Sequence, residues 1–158
     1  MPADSETTTM STVTLPHTWR PFGVRMAGAV LGLGLALVVV VAWLGFDAET
    51  QARFSWLQRG TVIAIALLGA SLGYGLMRSR VQATAERLVV VNGYRRHEFE
   101  YAEIVGVHLA PGAPWVTLDL ADGSTAAAMG IQGSDGDRAR RAARELRAVI
   151  DAQSTQSS

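Results

Sequence analysis

The sequence predicts an α+β chain: a two-helix transmembrane hairpin followed by a small antiparallel β module with one C-terminal capping helix. Three observations carry that prediction. Residues 26–46 and 60–77 are uncharged apolar runs of 21 and 18 residues, bounded by Arg25, Asp47, Arg59 and Arg78. Short strand-like runs follow, punctuated by Asn92-Gly93 and Asp122-Gly123. A final stretch, about residues 135–152, repeats its apolar residues at helical spacing.

At about 1.5 Å of rise per residue, the two runs reach roughly 31 and 27 Å, close to the ~30 Å hydrocarbon core of a bilayer. A hairpin unit at 19–79 then holds spans at about 24–46 and 58–78 and a loop at 47–57. Trp19, Phe22 and Tyr74 stand at one end of the pair, and Trp43, Phe46, Phe54 and Trp56 at the other, as aromatic belts do. The first run exceeds the ~7–15 residues of a signal-peptide core, and no small-x-small site follows it, so it reads as an anchor. The loop carries Arg53 and Arg59, the flanks Arg20, Arg25, Arg78, Arg80 and Arg87. That bias predicts a multi-pass plasma-membrane protein with both termini cytoplasmic. Gly28 and Gly32, and Gly69 and Gly73, stand four residues apart on one face of each span, where small residues let helices approach. They are candidates for packing within the hairpin or between two copies. No ionisable residue falls within either run, so a proton or ion path has no usual carrier.

Composition narrows the classes further. The formal net charge of the 158 residues is zero, which argues against nucleic-acid binding. There is no cysteine, hence no disulfide, thiolate metal site or cysteine nucleophile. All 14 basic residues are arginine. Residues 1–18 are polar, rich in Ser and Thr, and read as a disordered tail; 153–158 read as a second one.

The β module is expected over 80–152. Residues 81–85 are weakly strand-like. Asn92-Gly93 suits the centre of a two-residue type I′ turn between the next two strands. Phe99, Tyr101, Ile104, Val105, Val107 and Leu109 continue as a strand pair or bent strand, with Gly106 marking a bulge. A second hairpin turns at Asp122-Gly123. With Ala121 opposite Ser124, Leu118 faces Ala127 and Val116 faces Met129, and Val116, Leu118 and Leu120 share one face. Ser134 has the spacing of an N-cap for the last helix, with Asp137 at the third position. Ala139, Ala142, Ala143, Leu146, Val149 and Ile150 form the apolar stripe of that helix.

The runs Leu88-Val-Val-Val-Asn-Gly93, Tyr101-Ala-Glu-Ile104-Val-Gly-Val107, Pro114-Trp115-Val116, Leu118-Asp-Leu-Ala-Asp-Gly123 and Met129-Gly-Ile-Gln132 come in this order, before the helix beginning Asp137-Arg-Ala-Arg. Together they resemble the small bacterial PH-like domains of the actinobacterial "low molecular weight protein antigen 6" type, over roughly residues 80–150. Tyr101 departs from that pattern, where a tryptophan is expected. The resemblance implies a PH-like antiparallel sheet or half-barrel with a capping helix. It implies no established ligand.

No catalytic constellation accompanies this fold. His17, His97 and His108 have no Cys, Asp or Glu at ligand spacing. Glu98 and Glu100 share one strand face and read as solvated, and no nucleophile elbow or phosphate loop is present. The expectation is a binding module rather than an enzyme, with no cofactor, metal or small-molecule substrate. Its partners would be the bilayer itself and either anionic headgroups or a membrane protein, met through Arg95, Arg96, Arg138, Arg141 and Arg144. A structural or accessory subunit, packing through its hairpin with other proteins or a second copy, is the alternative.

Overall fold

The computed structural model describes residues 13–156. The two apolar runs fold as helices α1 (Phe22–Gly45) and α3 (Trp56–Met77), each long and apolar enough to cross a membrane. Their 24 and 22 residues span about 36 and 33 Å. No residue of α1 is buried, and of α3 only Gly75 is. Leu31, Leu33 and Leu44 stand 72%, 74% and 74% exposed, an apolar surface far beyond what water tolerates. The connection at 47–57, expected as a plain loop, holds a short helix α2 (Ala48–Arg53). Asp47 caps it, accepting from Thr50 N at 2.6 Å, and Ser55 and Gln58 form a reciprocal capping box at the start of α3.

Among the described residues, seven strands make two antiparallel sheets. The first runs in the order β1 (His17–Trp19), β2 (Arg80–Ala83), β3 (Arg87–Asn92), β4 (Arg95–Glu100). The second runs β5 (Ile104–His108), β6 (Trp115–Leu120), β7 (Thr125–Gln132). Helix α4 (Asp137–Gln156) covers their open side. Val81, Leu88 and Val90 meet Val107, Val116, Leu118 and Ala128 in the core, and Leu146, Val149 and Ile150 of α4 close it. This is the α+β, PH-like architecture the sequence predicts.

Four local expectations are overturned. The first concerns the N-terminal segment. Residues 1–12 lie outside the described ones, but His17–Trp19 is a strand, not tail, and pairs His17 with Ala83 and Trp19 with Val81. Trp19 is 6% exposed in the core and donates its indole N–H to Glu145 Oε2 at 3.1 Å, so it does not belong to an aromatic belt. Val13 and Leu15 pack on the same core. The hairpin is therefore inserted between the first two strands of the β domain, and the 80–152 boundary leaves one strand out.

The second is the turn after β3. Asn92 pairs with Arg95, so Gly93 and Tyr94 are the two loop residues, with Gly93 at φ 61° as the first position of a type II′ turn requires. Asn92 is used elsewhere. Its Nδ2 donates to Ala127 O at 2.6 Å, and its Oδ1 accepts from Met129 N at 3.0 Å. The side chain thus substitutes for a strand edge and sews β3 to β7.

The third is a register. Leu120 N donates to Ser124 O at 2.9 Å around the three-residue loop Ala121-Asp122-Gly123, with Gly123 at φ 83°. Asp122 accepts from Ser124 N at 2.8 Å inside that loop. Leu118 consequently faces Ala126 and Val116 faces Ala128. The bulge expected near Gly106 is observed, with Val105 the extra residue between Ile104 and Gly106.

The fourth concerns α4. A 3₁₀ turn (Gly133–Asp135) and Gly136 at φ 58° precede it, so Ser134 does not cap it. Its far end continues through Gln156, with Ser154 Oγ donating to Ile150 O at 2.8 Å and Tyr101 O at 3.2 Å, where a tail was expected. Residues 157–158 lie outside the described ones.

Two outcomes follow from this packing. Trp19→Ala should cost about 3–5 kcal/mol in a urea or thermal melt of the full chain in detergent; a loss below about 1 kcal/mol would show β1 dispensable. Burial pushes the Tyr101 phenol, which donates to Thr84 O at 2.5 Å, above its ordinary value. A raised value gives stability that is full below about pH 10 and lost as pH climbs through the folded pKa. Melts from about pH 9 to 12 should show that alkaline loss, and Tyr101→Phe should remove it.

Candidate functional site

The β domain meets the hairpin at one end, where the β1–α1, α3–β2 and β3–β4 connections gather. Asp135 reaches from the turn before α4 to the start of α1. Its two carboxylate oxygens accept from Phe22 N at 3.0 Å and Gly23 N at 2.8 Å, capping a helix that begins after Pro21 with no cap of its own. Gly23 permits the approach, since a Cβ there would lie 2.7 Å from Asp135 Oδ1. Arg138 then sets its guanidinium 4.5 Å from the Phe22 ring.

The end of α3 is held from the other side. Tyr94, at the tip of the β3–β4 turn, donates to Ser71 O at 2.6 Å and lies 2.9 Å from Ser71 Oγ. A Cβ on Gly75 would stand 2.9 Å from the Tyr94 ring, so this glycine makes room for the turn. Ser79, 1% exposed, accepts from Gly93 N at 3.0 Å. Arg78 lies over both Tyr74, at 5.7 Å, and Tyr94, at 5.6 Å. Because Ser71 lies six residues before the end of α3, Tyr94 reaches about 9 Å down that helix.

The arginines singled out from sequence fall into different settings. Arg138 stands at the hairpin foot, and Arg141 and Arg144 follow it, exposed, along α4. Arg95 is exposed beside Tyr94, whereas Arg96 pairs with Glu98 at 2.7 Å. Among the described residues, no carboxylate lies within 4.0 Å of Arg95, Arg138, Arg141 or Arg144. Glu98, bound by Arg87 and Arg96, and Asp137, bound by Arg140, both hold their carboxyls below the usual range. Arg147 donates to Val107 O and serves the core boundary.

The glycines also divide. Gly28 packs against Met77, whose Sδ would stand 3.1 Å from a Cβ at that position, while Gly32, Gly69 and Gly73 have nothing within 4 Å. Closer approaches, under 3.0 Å to a Cβ, are made at Gly23, Gly75, Gly106, Gly130 and Gly133. A Cβ on Gly130 would come within 2.5 Å of Val81 N, where β7 crosses β2. Sequence spacing gave no sign of Gly23, Gly75, Gly130 or Gly133, since each is decided by a partner distant along the chain.

Among the described residues, no group of three or more His, Asp or Glu could hold a metal ion. Two packed sheets capped by a helix define a small domain of PH-like form. Residues 78–148, a little under half of the chain, match a family model described as a bacterial PH domain. The match takes in β2 to β7 and most of α4; β1 and the hairpin lie outside it. No curated protein and no solved structure matches the chain.

Asn92→Ala should leave Ala127 O and Met129 N without these partners and cost about 1–3 kcal/mol. Gly75→Val should push the Tyr94 ring off α3. Hydrogen exchange in the β3–β4 turn of the full chain should rise with Gly75→Val and with Tyr94→Ala alike, and unchanged protection in both would separate the turn from the helix.

Proposed function

We propose that the protein is a membrane-anchored PH-like binding module on the cytoplasmic face of the plasma membrane, occupied with anionic lipid headgroups beside its own hairpin. One observation carries this reading. The domain end that holds Arg95 and Arg138 is fastened to the feet of both apolar helices, through Tyr94 on α3 and Asp135 on α1. If the helices cross a bilayer, that end is brought to headgroup depth, with Arg20, Arg25 and Arg78 exposed around it. Each cation near an anionic leaflet gains about 1 kcal/mol. PH domains are generally non-catalytic interaction modules, which agrees with a binding role.

A second reading rests on a separate observation. Gly32, Gly69 and Gly73 are open, so another membrane helix could approach there, as an accessory subunit of an assembly would require.

The full chain should resist alkaline extraction from membranes, and a reporter fused after Ser158 should behave as cytoplasmic. In bilayer discs, anionic lipid should slow hydrogen exchange in the β3–β4 turn and the first turns of α4. Joint Arg95→Gln, Arg138→Gln, Arg141→Gln and Arg144→Gln changes should abolish the slowing. Equal exchange in zwitterionic lipid would end the headgroup reading. Slowing that needs a co-purified protein would assign the surface to that partner.

A further inference from the structure

The far end of the hairpin, remote from the PH domain, is an ordered cradle rather than a slack loop. Gln51 Nε2 donates to Trp43 O at 2.9 Å and Phe46 O at 3.2 Å, tying α2 back onto the end of α1. Trp43, Phe46 and Phe54 pack ring to ring, with centroids 5.7 to 6.4 Å apart. Below them a groove of about 370 Å³ runs between α1 and α3, walled by Val39, Ala42, Val62 and Ile63. That volume falls in the ~300–1,000 Å³ of small-molecule sites.

Arg59 stands at the mouth of this groove. Its Nε donates to Phe54 O at 3.1 Å and its Nη2 to Gln51 O at 2.7 Å, and its guanidinium lies 5.2 Å from the Trp43 ring and 5.3 Å from that of Trp56. These contacts fix the side chain but neutralise nothing. The acids of the loop are engaged elsewhere, Glu49 with Arg53 at 2.5 Å and Asp47 in capping α2. Among the described residues, no carboxylate lies within 4.0 Å of Arg59. Two of the five guanidinium donors are used, leaving capacity for an anion.

We propose that this cradle binds an anionic phospholipid, its acyl chain along the groove and its phosphate on Arg59, in the leaflet opposite the PH domain. The proposal rests on the membrane reading given above. Charge decides the occupant: a partner helix seated in the groove would leave the guanidinium against apolar side chains, whereas a phosphate supplies charge-assisted hydrogen bonds. The loop contacts pre-order the site, which lowers the cost of binding.

The test uses the full chain in bilayers doped with phospholipids whose acyl chains carry a photoreactive group, anionic and zwitterionic at equal mole fraction. Labelling of the segments around Val39 and Val62 should favour the anionic lipid about fivefold, the ratio that ~1 kcal/mol per interfacial cation gives. Arg59→Gln should level the two, Arg59→Lys should keep part of the preference, and Ala42→Phe, which fills the groove with Arg59 intact, should reduce labelling by both lipids. Equal labelling in the unaltered chain, a preference that survives Arg59→Gln, or a protein crosslinked in the groove would overturn the proposal. Alkaline extraction of the same membranes separates the two failures. Release of the chain would sink the membrane reading itself, while retention with headgroup-blind labelling would sink only this site.

Discussion

The pairing of β1 with β2 is the constraint on which the rest of the molecule depends. Trp19 and Val81 face each other at the point where the chain leaves the sheet for α1 and returns from α3. That contact joins the two ends of a long excursion, closes one edge of the first sheet, and lays Trp19 into the core beside α4. With both ends of the hairpin set in adjacent strands, the helices leave the domain side by side. Asp135 and Tyr94 can then fasten each helix at its foot. The loop closure that this needs is costly in entropy, but it grows only slowly with the length enclosed.

A second dependence lies at the corner between the sheets. β7 belongs to the second sheet yet crosses β2 and β3 of the first. Asn92 supplies the hydrogen bonds that a neighbouring strand would make, and Gly130 allows backbone to touch backbone. Without both, the two sheets would share a core of side chains but no polar connection along this seam, leaving main-chain groups of β7 to lose their water unrewarded. The same turn that places Asn92 also delivers Tyr94 to α3, so one short segment orients the sheets and the hairpin together.

Much of this was legible in the sequence because it is local and periodic. Apolar length marked α1 and α3, helical spacing marked the buried face of α4, and Gly106 marked the bulge in β5. What escaped was decided by distant partners. β1 is three residues long, and its Trp19, like Val13 and Leu15 before it, gains meaning only from a partner more than sixty residues on. Asn92-Gly93 and Gly93-Tyr94 are both sound turn centres, and the choice falls to the second because Asn92 finds β7. At Asp122-Gly123, two- and three-residue loops differ by one step, yet that step moves every cross-strand neighbour of β6. Of the arginines chosen by helical position and turn proximity, Arg138 and Arg95 stand beside the hairpin, while Arg96 was taken up by a carboxylate that sequence spacing did not assign to it. Arg59 and its aromatic neighbours could be read one by one as boundary residues. Their convergence required the short helix α2.

If the two helices span a bilayer, the insertion of the hairpin between β1 and β2 also makes the domain a register of membrane crossing. A strand synthesised before both helices must find its neighbour synthesised after them, so the first sheet cannot be completed until the whole excursion has been made. For helices that enter a bilayer, the two strands share a compartment only after an even number of crossings. A chain that stalled with one helix inserted would keep β1 on one side and β2 on the other. Val81 and Ala83 would then be left along a bare edge, open to pairing with other chains. Correct threading and a finished core would then be one event.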